Sequence, residues 1–272
     1  MHTPAANTTA IAVAQFAPGD DRAANLVALR ELAACAASRG AKLVVFPEYT
    51  AFFEPELGAA SVAAAEPLDG PFVSGIGGIA QGLGVHLVAG MLEATDDPSR
   101  FSNTLVAVDE AGELVAKYRK MHLYDAFGQR ESDFVVAGPI EEPETFLVEG
   151  LTIGLQTCYD VRFPEVTRRL VDAGAEIVVL PSEWVRGPLK EQHWRTLVTA
   201  RALENTVYVA AADHAPPIGA GNSMIVDPMG VELATIGEQS DVALAWVSRD
   251  RLAEVRTRNP ALALRRFAVI ER

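Results

Sequence analysis

Short, wholly apolar runs alternate along this chain with longer stretches whose apolar residues return every three or four positions. Runs such as LVVF at 43–46 and IVVL at 177–180 carry no polar residue, which suits strands covered on both faces. The pattern predicts strands near 9–16, 42–46, 85–93, 103–109, 113–119, 151–157, 176–180, 206–212, 222–227, 231–236 and 241–247. Helices are predicted over 21–38, opening at Asp20 and closing before Gly40, and over 71–82, 164–173, 190–204 and 249–258.

The pattern also repeats. GAKLVVFPE from Gly40 resembles GAEIVVLPS from Gly174, each after an amphipathic helix, and NTLVAVDEAGELVA from Asn103 resembles NSMIVDPMGVELA from Asn222. Two copies of a helix, buried strand and hairpin unit pack most economically as two sheets face to face with helices outside. The expected fold is therefore α/β, an αββα four-layer sandwich with an internal pseudo-twofold repeat. No Pro/Gly/Ser linker divides the halves, so residues 1–272 are read as a single domain, with residues 259–272 as a C-terminal arm.

Composition narrows the partners. The net charge of -13 over 272 residues argues against nucleic acid and acidic membranes, since phosphate binding needs a surplus of Lys and Arg on one face. No basic start with an apolar core opens the chain and no run approaches a membrane span, which points to a cytoplasmic protein. The only cysteines, Cys35 and Cys158, lie in separate predicted elements and are expected to be free.

Three residues stand out because each ends a strand-like segment. Cys158 follows LTIGLQT and precedes Pro164-Glu165, a helix start. It therefore sits at a strand's carboxyl end, where open α/β folds place ligands. A free cysteine is more often a small buried hydrophobe. Glu48 ends LVVFPE, where the ordinary reading is a carboxylate facing solvent. Lys120 closes ELVAKYRK, where a lone lysine is ordinarily solvated. Together, thiol, carboxylate and ammonium supply what acyl transfer needs: a nucleophile, a proton acceptor and a positive charge for an oxyanion.

Competing signals are weaker. Gly75, Gly77 and Ala80 have dinucleotide-loop spacing but do not follow a strand, so GIGGIAQGLG reads as a small-residue helix packed on a sheet. The histidines, His122, His193 and His214 among them, show no paired metal spacing, and no G-x-S-x-G elbow occurs.

The segments FPEY, YRKMHLYD and CYDVRFPE resemble, in order, the three signatures of the nitrilase, or carbon-nitrogen hydrolase, superfamily, and HWRTLVTARALENTVYV and GNSMIVDPMGVEL extend the resemblance over almost the whole chain. The resemblance implies the αββα sandwich and a Glu48-Lys120-Cys158 site with no metal and no organic cofactor. It also implies a second carboxylate, Glu131, beside Lys120, although a surface charge is an equal reading, and an oxyanion contact from the Tyr159 backbone N–H. Tyr159-Asp160 after the cysteine, in place of Trp-Glu, is similar to amidase and omega-amidase-like members.

The expected activity is hydrolysis of a small non-peptide amide through a Cys thioester. N-carbamoyl amino acid hydrolysis and nitrile hydrolysis are the alternatives within the family. Outside simple hydrolysis stand an ammonia-donating glutaminase module, usually fused to a synthetase, and a membrane-spanning acyltransferase; this chain shows neither feature. Arg162 and Glu183 are candidate substrate-binding residues, with an ion pair to Glu165 or another acid as the alternative for Arg162. By resemblance, the chain forms a homodimer or higher homo-oligomer.

Overall fold

The computed structural model describes residues 7–271. The first six residues and Arg272, on which parts of the amino-terminal and arm readings fall, lie outside them. In chain order the strands are β1 (Thr8–Gln15), β2 (Leu43–Val45), β3 (His86–Ala94), β4 (Phe101–Val108), β5 (Leu114–Arg119), β6 (Thr145–Val148), β7 (Leu151–Leu155), β8 (Ile177–Ser182), β9 (Tyr208–Asp213), β10 (Met224–Val226), β11 (Glu232–Thr235) and β12 (Asp241–Ser248). The helices are α1 (Arg22–Ser38), α2 (Ala59–Ala63), α3 (Pro71–Leu83), α4 (Pro164–Asp172), α5 (Lys190–Asn205) and α6 (Arg249–Arg258).

These strands make two six-stranded sheets, ordered β12-β1-β2-β3-β4-β5 and β11-β10-β9-β8-β7-β6. In the first, β1, β2 and β3 run parallel and the outer pairs are antiparallel; in the second, β7, β8 and β9 do the same. Parallel neighbours need a crossover. Helix α1 supplies it between β1 and β2, α3 between β2 and β3, α4 between β7 and β8, and α5 between β8 and β9. The repeat seen in the sequence is thus a repeat of topology.

Alternation inside the apolar runs explains the four layers. Ile11, Val13, Leu43 and Val45 meet Ile153, Leu155, Ile177 and Val179 between the sheets. Ala12, Ala14, Val44 and Phe46 turn outward onto α1 and α3, and Val178, Leu180, Val209 and Ala211 join Trp194 and Val198 of α5 on the far side. Both faces of each central strand are buried, so no polar position interrupts it. Burial of each such Val, Leu or Ile side chain contributes about 1.5–3 kcal/mol.

Local chemistry fixes the ends. Asp21, not Asp20, caps α1, its carboxylate accepting from Ala23 and Ala24 N–H. Pro164 is the first residue of α4, as its fixed φ favours. Helix α3 is the small-residue helix expected: a Cβ on Gly77 would lie 2.6 Å from the Gly112 carbonyl oxygen, so the bare glycine lets the helix touch the β4–β5 turn. Strand β6 and helix α2 are additions to the predicted elements; each has only four or five residues, too few for periodicity to declare itself. Among the described residues no helix is long and apolar enough to cross a membrane. Beyond α6 the described residues of the arm form no regular element and expose Leu264, Phe267 and Ile270, while Arg265 returns to pair with Asp172 of α4.

Candidate active site

Glu48 lies three residues past the end of β2. There the chain presses on β3 so closely that a Cβ on Gly90 would lie 2.7 Å from Glu48 Cα, which only glycine permits. The carboxylate is buried. Its Oε1 accepts from Asn103 Nδ2 at 2.6 Å and Lys120 Nζ at 2.9 Å, and its Oε2 from the Glu183 N–H at 2.7 Å. From the other sheet, His214 Nε2 donates to the Glu48 carbonyl at 2.6 Å. Burial pushes this imidazole down to about 4, so it is neutral at neutral pH.

Lys120 follows β5 directly, its N–H bonded to the Asn103 carbonyl at 2.9 Å and its carbonyl to the Gly138 N–H at 2.8 Å. Nζ lies 2.9 Å from Glu131 Oε2 as well as 2.9 Å from Glu48 Oε1. Burial alone disfavours the ammonium, but Glu131 and Glu48 outweigh it and raise the lysine well above its ordinary value. Glu131 is no surface charge. It is 6% exposed, and accepts from Tyr49 OH at 2.8 Å, Asn103 Nδ2 at 3.0 Å and the Tyr124 N–H at 2.5 Å. Burial would raise its carboxyl, yet Lys120, the Tyr124 N–H and Asn103 together hold it below the usual carboxylate range.

Cys158 opens a 3-10 turn, Cys158–Arg162, three residues past β7. Its φ of +46° is rare for a residue with a Cβ and costs about 1–3 kcal/mol. The sharp turn leaves Tyr159 in the first turn of the 3-10 helix, where an N–H has no acceptor within the turn. Cys158 Sγ donates to the Glu183 carbonyl at 3.4 Å. Residue 183 therefore joins thiol to acid through its own backbone, N–H to Glu48 and C=O to Cys158. Burial first, then Glu48, pushes the thiol well above its ordinary value, and Lys120 opposes them. The resting sulfur is a protonated thiol.

Glu183 also turns its side chain toward the site, where Oε1 is buried without a hydrogen-bond partner. Burial and then Glu48 raise its carboxyl well above the ordinary value. Nearby, Lys190 Nζ lies 4.7–5.0 Å from the ring centres of Trp184, Phe127 and Tyr124 and bonds Tyr124 OH at 3.1 Å. Arg162 stacks over the same Trp184 at 4.9 Å and leaves Nε and Nη2 buried without hydrogen-bond partners. Among the described residues neither cation meets a carboxylate, so the ion pair between Arg162 and Glu165 does not form. Glu48, Lys120, Glu131, Cys158, Glu183 and Tyr124 line one open pocket of about 650 Å³.

Of the residues singled out from the sequence, Glu48, Lys120, Glu131, Cys158 and Glu183 line this pocket, while Tyr159 and Arg162 follow Cys158 in its 3-10 turn without lining it and Cys35 lies apart in α1. Asn103, Tyr49 and Lys190 were not foreseen. Asn103 opens one of the two repeated strand segments, and an amide inside an apolar run was the available signal. Lys190 was visible only as a helix start. His193 and Trp194 sit in α5, with Trp194 wholly buried in the core.

The model of the carbon-nitrogen hydrolase family matches residues 10–257. The chain is 40% identical to deaminated glutathione amidase of Escherichia coli O157:H7 over 260 residues, 95% of this chain and 97% of that protein. Its fold is similar to the Caenorhabditis elegans NitFhit protein, with a TM-score of 0.87 and 29% identity over 97% of this chain and 66% of that one. It is also similar to a variant of the amidase from Nesterenkonia sp. AN1 that carries the acetamide moiety of fluoroacetamide covalently at its active-site cysteine. That match has a TM-score of 0.80 and 27% identity over 97% and 99% of the two chains. Fold and sequence agree: the chain belongs to the carbon-nitrogen hydrolase family, within the nitrilase superfamily. It is a hydrolase of carbon–nitrogen bonds, and the E. coli and Nesterenkonia relatives are amidases by name.

Proposed function

We propose that this pocket hydrolyses a small non-peptide amide to a carboxylic acid and ammonia through a thioester on Cys158. The convergence of a protonated thiol, a buried carboxylate and a charged lysine on one pocket carries the reading. Glu48 takes the Cys158 proton as sulfur attacks the carbonyl carbon, and the oxyanion is met by Lys120 and the Tyr159 N–H. Glu48 returns the proton to nitrogen, the C–N bond breaks and ammonia leaves. Water then attacks the thioester while Glu48 takes its proton; the carbon–sulfur bond breaks, sulfur regains a proton and the acid departs. Glu131 keeps Lys120 charged and aimed. No metal or organic cofactor enters these steps.

The substrate is read as an amide whose acyl chain carries an anionic group. Arg162 and Lys190 support this, as two cations stacked on Trp184 beside the pocket without an ion-pair partner, and Glu183 adds a carboxyl that burial holds well above its ordinary value. The name of the E. coli relative, deaminated glutathione amidase, fits an amide of this kind. A second reading, N-carbamoyl amino acid hydrolysis, draws on the same unpaired Arg162. The reaction is placed in the cytoplasm, and the exposed arm is read as covering a second copy; sedimentation as a 29 kDa monomer at micromolar concentration would remove the dimer.

The test is ammonia release from propionamide, propionitrile, monoamides of dicarboxylic acids and carbamoyl amino acids, with hydroxylamine present to capture the acyl group as a hydroxamate. The dicarboxylic monoamides are expected to show the highest kcat/KM, with propionamide above propionitrile. A better nitrile than amide would overturn the amidase reading, and a better carbamoyl amino acid would favour the second.

A further inference from the structure

Asp160 is wholly buried two residues after Cys158, and its carboxylate makes no contact with the pocket's charged groups. It reaches instead across to the other sheet. Oδ2 accepts from Tyr118 OH at 2.7 Å and from the Thr157 N–H at 3.4 Å; Oδ1 accepts from the His122 N–H at 3.1 Å and from His122 Nδ1 at 2.8 Å. A carboxylate only accepts, so His122 carries its proton on Nδ1. The ring is fixed further by stacking on Phe163, with centres 3.7 Å apart and planes at 8°. Burial and then Asp160 raise Tyr118 well above its ordinary value, so its hydroxyl keeps the proton it donates.

The spacing gives this carboxylate a purpose. Tyr118 and His122 stand two residues before and two residues after Lys120, and Asp160 stands two residues after Cys158. Lys120 belongs to the first sheet and Cys158 to the second; the apolar contacts between the sheets do not fix sliding to a fraction of an ångström, and the polar ties beside the site, from the Glu183 N–H and His214, hold Glu48 rather than the lysine's own segment. We infer that Asp160 is a positioning residue, a clamp that grips both sides of Lys120 and sets its distance from Cys158. The inference rests on the reading that Lys120 and Cys158 act on one substrate. Asp160 touches neither substrate nor reacting atoms; it acts through the two backbone segments it joins.

A role confined to capping the 3-10 turn would involve only Asp160 and Thr157. A clamp also requires the Tyr118 hydroxyl and the His122 ring, which lie on the lysine's side. The test is a cycle of Asp160→Asn, Tyr118→Phe, His122→Ala and their combinations, with kcat and KM read separately on a dicarboxylic monoamide and folding checked by circular dichroism. Misplacement of about 1 Å is worth about 100-fold in rate. Asp160→Asn is expected to lower kcat by about that much, and Tyr118→Phe and His122→Ala by about tenfold each. KM should change less than about threefold, since binding groups are not displaced. Combining either variant with Asp160→Asn should add little.

Tyr118→Phe removes one oxygen atom and keeps the fold testable if Asp160→Asn does not fold. Unchanged kcat in both Tyr118→Phe and His122→Ala, or losses that simply multiply with that of Asp160→Asn, would overturn the clamp. Failure of the underlying reading looks different: Cys158→Ala would keep turning over amide.

Discussion

The two halves of the sandwich share a topology but not a chemistry. GAKLVVFPE and GAEIVVLPS build the equivalent strands β2 and β8, but β2 ends at Val45, before its proline, whereas β8 runs on through Pro181 to Ser182. The first puts Glu48 after the proline, inside a nest of Asn103, Lys120 and a backbone N–H. The second puts Ser182 there, wholly buried with its hydroxyl on the Leu180 carbonyl, and Glu183 one position later. At that later position the backbone serves Glu48 and Cys158 while the carboxyl goes unpartnered. The halves also differ at the neighbouring strand. Strand pairing makes Gly90 of β3 the counterpart of Ala212 of β9; only the first half needs the missing Cβ, because only there does the chain fold hard against the strand to bury an acid. A duplicated scaffold thus supplies two similar strand ends, and the site uses the side chain of one and the main chain of the other.

Substitutions can break that asymmetry. The largest effect is expected from Cys158→Ala, which should lower kcat by about 10⁴-fold or more while costing no more than about 1 kcal/mol of stability; Cys35→Ala should keep full activity in the same ammonia-release assay. Next, Glu48→Ser, which makes the first strand end read like the second, should lower kcat about 1000-fold, whereas Ser182→Ala should stay near wild type. If the two are equally harmless, the halves are not chemically distinct.

Glu131→Gln, leaving Lys120 with Glu48 as its one carboxylate, should lower kcat by about 10- to 100-fold. Below these come effects on stability. The His214 imidazole is neutral and buried, with its value at about 4 against the ordinary 6.5. Between those limits the unfolded chain binds a proton that the folded chain does not, so stability falls as pH falls from 6.5 to about 4. The loss amounts to roughly 3 kcal/mol, measurable by urea unfolding, and should vanish in His214→Gln. Gly90→Ala should cost about 2 kcal/mol by overpacking against Glu48, and Ala212→Gly about 1 kcal/mol or less.

Much of this was legible in the chain because burial on both faces leaves polar residues conspicuous. Glu48 stands out after the apolar LVVF and Cys158 after β7, whereas Lys120 ends the half-exposed edge strand β5, and the repeat predicts two stacked sheets. Glu131 was visible only through resemblance: it lies in a loop without periodicity, and nothing local shows that Tyr49, Asn103 and Lys120 converge on it from three distant segments. Lys190 was hidden for the same reason, and for Arg162, already a candidate, the chain did not show that it lacks an acidic partner. An unpaired buried cation is defined by what surrounds it, and rings at positions 124, 127 and 184 come near one another only in the folded chain. The short elements β6 and α2 escaped because four or five residues hold less than two periods of any pattern.

The hydrogen bond from Cys158 to the Glu183 carbonyl has a consequence for how the sulfur meets chemicals other than substrate. Peroxide and small alkylating agents attack thiolates, not thiols. A sulfur whose proton is held by a carbonyl, in surroundings that push it well above its ordinary value, is quiet toward such reagents although it lines an open pocket. The exposed Cys35 should therefore be labelled first by generic electrophiles, as peptide mass analysis would read, and Cys158 should need a reagent shaped like an amide, one whose carbonyl carbon is presented to the sulfur so that the thiol gives up its proton only at the moment of contact.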